Sequence, residues 1–264
     1  MSFAPRGSHM RMSHVTSKDG TPIAYDRQGS GPAVILVGGG LDDGAENAPL
    51  AAELARSFTV YNYARRGRGE SGDTLPYALE REIEDLDALV AEAGGSAHLY
   101  GVSSGGALAL EAAAAGVAVG RIGVYEVPYS IAEDAAVLWR EYTEQLDAAL
   151  AAGDRGRAIE LFMRVAGAPE ESIASARSLP VWPALEALAH TLAYDAACLR
   201  DGRPHVTVTQ PVLVATGGGA EFFEQAGDAL AAGLPHAERL VVEAQGHVAD
   251  PKAVTPVLER FLGT

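Results

Sequence analysis

At 264 residues, 48% of them hydrophobic, the chain can bury a substantial core without disulfides or metal, and one globular domain carrying an insertion fits the length. A formal charge of −15 argues against a phosphate-neutralising surface, so nucleic acid is not expected as a partner. The single cysteine, Cys198, excludes an internal disulfide framework. With no apolar run of about 18 residues and no signal-peptide core, a cytoplasmic protein without membrane attachment is expected, as monomer or homodimer.

Residues Gly7 to Met10 read GSHM, an expression-vector remnant. Residues 1–12 are therefore set aside as a tag remnant and disordered start, and His9 carries no functional weight. From Ser13 onward, short apolar runs bounded by turn residues alternate with longer helical stretches. Two strands flank the Asp19-Gly20 turn as a hairpin, and a third, Ala33 to Val37, ends in glycines. A helix near Pro49 to Arg56, the strand FTVYNY, a helix near Ala78 to Ala93 and the strand HLY follow. The next helix begins inside SSGGALALEAAAA, and RIGVYE is the next strand. This rhythm predicts a mainly parallel sheet with helices on both faces and its chemistry at the carboxyl ends of the strands.

From Ile131 to about Arg200 only helical patterns occur, among them IAEDAAVLWREYTEQLDAAL and ALEALAHTLAYDAACL. The strand PVLVAT, a helix near Glu224 to Ala232, the strand RLVVE and the helix AVTPVLERFL then resume the alternation. The expected organisation is a core of residues 13–130 and 205–264, with residues 131–204 as a helical cap over the active face.

The stretch YGVSSGGALAL carries the first chemical signal. A nucleophile on a tight strand-to-helix turn needs small residues two before and two after it, because the flanking backbone comes close. Ser103 has Gly101 and Gly105 at those positions, whereas Val102 lies two before Ser104. Ser103 is therefore the candidate nucleophile, with the Ser104 N–H as an oxyanion donor. The competing reading is a glycine-rich turn that serves only packing or cradles a phosphate.

The GGG after the third strand, RRGRGESG at Arg65 to Gly72, the GVSSG elbow and Gly246-His247 near the C-terminus together resemble the α/β-hydrolase superfamily over Val15 to Leu262. The resemblance implies an α/β fold, a mostly parallel eight-stranded sheet flanked by helices with the helical cap inserted, no cofactor, and a Ser, acid, His triad in that order. His247, after RLVVEAQG, occupies the place of the family's base, and imidazole suits that task. His14, His98, His205 and His236 have bland explanations in or beside strands and loops, and His190 lies on a cap helix as a candidate pocket residue. Gly38 stands where many relatives have histidine in a His-Gly pair, which would alter loop support. Gly40 is the chosen second oxyanion donor and Leu41 the fallback.

The acid is left open. Relatives most often carry Asp after the seventh strand, where this chain has Ala220 followed by Glu221. Glu126, in VYEVPY at the end of the sixth strand, is the preferred acid, with Glu221 as alternative and a chain without a competent acid as the third reading. Asp250 is too near His247 in sequence to be preferred. Arg65 and Arg66 are expected in ion pairs.

The leading expectation is an esterase-like serine hydrolase acting through an acyl-enzyme on a small or medium apolar carboxylic ester, lactone or thioester. A lyase or cyclase using the same pocket, and a non-catalytic ligand-binding homologue, are the alternatives. Leu41, Trp139, Trp182 and His190 are candidate pocket residues, together with Phe162, Met163, Leu179 and Val181 from the cap. Nothing in the sequence calls for metal, nucleotide or flavin.

Overall fold

A computed structural model describes residues 12–263. Residues 1–11 of the expected tag remnant lie outside the described residues. The chain forms a sheet of eight strands in the order β1-β2-β4-β3-β5-β6-β7-β8. The hairpin strands β1 (Ser13–Thr16) and β2 (Pro22–Gly29) pair antiparallel, and β2 runs antiparallel to β4 (Thr59–Tyr63). All remaining pairings, through β3 (Ala33–Val37), β5 (Ala97–Val102), β6 (Val119–Tyr125), β7 (Val212–Gly218) and β8 (Ala237–Gln245), are parallel.

The hairpin turn is made by local chemistry. Gly20 takes a positive φ of 88°, and the Asp19 carboxylate accepts a hydrogen bond from the Thr21 N–H at 3.0 Å. The central strands read as continuous apolar runs because helices cover both of their faces. In AVILV, for example, all but the first residue are fully buried. One layer over the sheet contains α2 (Leu79–Glu92), α3 (Ser104–Ala114) and α9 (Glu221–Gly233), and the other contains α1 (Ala48–Leu54) and α10 (Pro251–Leu262).

The inward face of α2 is apolar through Leu79, Leu86, Leu89 and Val90, yet it also buries Glu82 and Asp85. These carboxylates take the two arginines after β4: Arg65 donates to both oxygens of Glu82 at 2.7 Å, and Arg66 to those of Asp85 at 2.8 and 2.7 Å. Arg66 also reaches Asp19 at 3.0 Å and so ties the hairpin turn to α2. Removing one member of such a buried pair costs about 3–5 kcal/mol, because the other charge is left uncompensated.

Between β6 and β7 lie α4 (Ala135–Ala151), α5 (Arg155–Val165), α6 (Glu170–Ala176), α7 (Trp182–Leu188), a 3-10 turn at Ala189–Thr191 and α8 (Leu192–Cys198). This insertion has its own apolar interior, built on Leu146, Ile159, Leu185 and Leu192, and Leu41 of the β3 loop packs into it. Its return to the sheet is tied to α3, since Glu111 accepts from Arg200 at 3.0 and 2.7 Å and pairs with His205 at 2.9 Å. Among the described residues, no helix is long and apolar enough to cross a membrane.

Candidate active site

Ser103 sits between β5 and α3 with φ 57° and ψ −129°, a strained conformation for a residue with a side chain. The turn is tight on every side. A Cβ on Gly101 would overlap the Gly105 carbonyl oxygen, and one on Gly105 would overlap the Val37 carbonyl oxygen and lie 2.6 Å from that of Gly38. These overlaps are with backbone, which cannot move aside, and they explain the glycines on either side of the serine. The Ser103 N–H donates to the Tyr125 carbonyl at 2.9 Å, which anchors the elbow to the end of β6.

Glu126 follows at that same strand end, also with a positive φ of 48°. Its carboxylate is only 3% exposed. One oxygen accepts from the Gly217 N–H of β7 at 3.0 Å, and the other lies 2.8 Å from His247 Nδ1. His247 is held from two further directions. Its ring stacks on Phe223 at 4.9 Å and 13°, and the preceding Gly246 carbonyl accepts a hydrogen bond from Tyr125 Oη at 2.8 Å. Glu221 opens α9 on the surface, where it accepts from Gln225 at 2.8 Å. The structure thus brings His247 to Glu126 and engages Glu221 within its own helix.

The loop after β3 lies against the elbow. A Cβ on Gly39 would be 3.1 Å from Ser103 Cβ and 3.8 Å from its Oγ, and one on Gly40 would be 3.2 Å from the Phe162 ring of the insertion. Leu41 is buried and has a φ of 60°. Gly39 therefore borders the serine, and its neighbour Gly40 lies against Phe162 and Asp195. The other candidate pocket residues are placed differently. Trp182 is buried inside the insertion with the Arg177 guanidinium 5.5 Å above its ring, and Trp139 packs on Gly202 and Tyr142. His190 stands 3.3 Å from Asp73 of the β4 loop and edge-on to Tyr194, at the seam between insertion and core.

Several groups beside the elbow escape sequence reasoning. Asp195, on α8, accepts from Ser104 Oγ at 2.7 Å, from Arg65 at 2.7 Å and from Arg68 at 2.8 Å. Burial pushes its carboxyl upward, but the charges of Arg68 and Arg65 outweigh that and hold it below the usual range. A lone acidic residue in the apolar stretch LAYDAACL was the available signal. Phe223 gave none, since an aromatic at a helix start is ordinarily packing. Among the described residues, no cluster of His, Cys, Asp or Glu could hold a metal ion.

Residues 33–257 match the Alpha/beta hydrolase family. The crystal structure of an α/β hydrolase from Sphaerobacter thermophilus DSM 20745 superposes with a TM-score of 0.84 at 44% identity, covering 95% of this chain and 100% of that one. An enol-lactonase from Burkholderia xenovorans LB400 shares the fold at 23% identity, with a TM-score of 0.67 over 96% of this chain and 100% of the other. An uncharacterized hydrolase of Bacillus subtilis (strain 168), YraK, is 34% identical over 96 residues, and the match spans 35% of each chain. The agreement runs from the third strand to the last helix, and the chain belongs to the Alpha/beta hydrolase family.

Proposed function

We propose that the protein is a serine hydrolase that cleaves small or medium apolar carboxylic esters, lactones or thioesters through an acyl-enzyme. The observation that carries this reading is the 2.8 Å pairing of His247 Nδ1 with the buried Glu126 carboxylate, one strand away from a serine on a strained elbow. A carboxylate at Nδ1 holds the imidazole in the tautomer whose Nε2 is free to accept a proton.

In this mechanism Ser103 Oγ attacks the carbonyl carbon while its proton passes to His247 Nε2. The carbonyl π-electrons move to oxygen, and the Gly40 and Ser104 N–H groups stabilise the resulting oxyanion. The Ser104 N–H belongs to the first turn of α3, where N–H groups have no intrahelical acceptor. Collapse of the tetrahedral species breaks the bond to the alcohol or thiol, which leaves with the proton from His247. A water then gives a proton to His247 as its oxygen bonds to the acyl carbon; collapse of this second tetrahedral species breaks the bond to Ser103 Oγ, which takes the proton back from His247 as the acid is released. Glu126 stays ionised and balances the imidazolium. The insertion acts as a cap that shields the acyl group, with Phe162 over the Gly40 loop.

The test is exposure to a fluorophosphonate followed by peptide mass spectrometry, with Ser103→Ala and His247→Ala proteins alongside. An adduct on Ser103 that forms rapidly only when His247 is present supports the reading. A folded protein that takes no adduct and turns over no ester or lactone refutes it.

A further inference from the structure

The glycines that open the β3 loop, Gly38 to Gly40, bring no side chains of their own to fix their peptides; the first side chains of the loop are Leu41, packed into the insertion, and Asp42, whose carboxylate accepts from the Gly44 and Glu46 N–H groups. A Cβ on Gly38 would run into the Asp42 carboxylate, so any larger residue there would have to displace that side chain. Two buried arginines approach from the β4 loop instead. Arg68 Nη1 donates to the Gly39 carbonyl and to the Asp42 carbonyl at 3.4 Å, and Arg65 Nη1 donates to the Gly38 carbonyl at 3.3 Å.

The Gly39 carbonyl and the Gly40 N–H belong to one planar trans peptide and point in opposite directions. A guanidinium that fixes the carbonyl therefore fixes the N–H. Because the Gly39 α-carbon faces Ser103, the loop holding this peptide lies against the nucleophile. The cation at the carbonyl also polarises the peptide and makes the N–H a stronger donor. Arg68 is itself oriented from the insertion, since its Nη2 donates to Asp195 at 2.8 Å. The same Asp195 oxygen accepts from Ser104 Oγ, so one carboxylate of α8 touches the supports of both proposed oxyanion donors. The guanidiniums of Arg65 and Arg68 and the carboxylates of Glu82 and Asp195 balance in charge.

We infer that Arg68 is a positioning residue of the oxyanion hole, aiming the Gly40 N–H through the Gly39 carbonyl, and that Asp195 couples this aim to the seating of the helical insertion. The inference rests on the serine hydrolase reading above. It predicts a contribution to the tetrahedral species and none to the bound ester, because the donors are aimed at where charge develops.

Arg68→Met, Arg68→Lys and Asp195→Asn are compared with the unaltered protein, using p-nitrophenyl butyrate for kcat and KM and a trifluoromethyl ketone as transition-state analogue. Losing one oxyanion donor outright costs about 100- to 1,000-fold, so a misaimed donor in Arg68→Met should cost about 10- to 100-fold in kcat. KM should change less than about threefold, and ketone affinity should fall in step with kcat. Arg68→Lys should recover part of the loss, because a lysine can still donate to the carbonyl. Equal kcat and equal ketone affinity in folded Arg68→Met, or a rise in KM alone, overturns the inference. If Arg68→Met does not fold, the near-isosteric Asp195→Asn decides by the same split. An unaltered protein that neither labels with the phosphonate nor turns over ester removes the hydrolase reading and this inference with it, whereas an active enzyme indifferent to these changes removes only this inference.

Discussion

Replacing Glu126 by glutamine separates the role of its charge from that of its shape. One Glu126 oxygen accepts from the Gly217 N–H at 3.0 Å, so the glutamine carbonyl must take that place and the amide NH2 must face His247 Nδ1. The imidazole is then driven to the tautomer that carries its proton on Nε2, where it cannot accept one from Ser103. The imidazolium also loses a counter-charge that sits 2.8 Å away on a carboxylate only 3% exposed. At an effective dielectric constant of about 20 and 3–4 Å, that attraction is about 4–6 kcal/mol, or about three to four decades in rate. The His247 side chain is 43% exposed, which screens the interaction and places the expected loss at the lower end, about 1,000-fold in kcat. Glu221→Gln alters an exposed contact to Gln225 and should stay within about twofold of the unaltered enzyme. Steady-state turnover of an activated ester reports the rates, and thermal unfolding verifies the fold. Glu126→Gln within about threefold of the unaltered enzyme, or equal losses in both variants, refutes the assignment of the acid.

Gly105→Ala should lower stability by at least about 3 kcal/mol or prevent folding, because its Cβ meets backbone carbonyls. Gly153→Ala, in open space with a φ of 72°, should cost about 1–2 kcal/mol, and denaturant titration compares the two. Phe223→Ala removes the ring stacked on His247, worth about 0.5–1.5 kcal/mol, and should slow ester turnover up to about tenfold with little change in melting temperature. Asp19 should contribute to acid unfolding. Its burial raises the carboxyl pKa, but the hydrogen bonds from Arg66 and Thr21 prevail and lower it from 3.8 to about 2. A carboxyl depressed in the folded state adds stability above its unfolded pKa and loses it as pH falls through the folded one. Asp19→Asn should therefore flatten the fall in stability between pH 3.8 and about 2, as read by urea titration across that window.

Periodicity and turn chemistry determine most of the elements here. The apolar run AVILV and the Asp19-Gly20 turn are local in origin, so β3 and the first hairpin are legible before any tertiary contact is known. The elbow is legible as a G-x-S-x-G pattern; the crowding that demands Gly101 comes from Gly105 within the turn itself, whereas that at Gly105 comes from the Val37 and Gly38 carbonyls, which the sheet brings alongside. The partner of His247 is another matter. Glu126 lies 121 residues earlier, across the whole insertion, and Glu221 is much nearer in sequence. Only the sheet order, which sets β6, β7 and β8 side by side, and the Gly217 N–H that fixes the carboxylate bring Glu126 to the imidazole. Asp195 and Arg68, 127 residues apart, meet because α8 folds back onto the nucleophile helix. A buried charge is tolerated only beside its counter-charge, and for these groups the path of the chain through three dimensions decides which one that is.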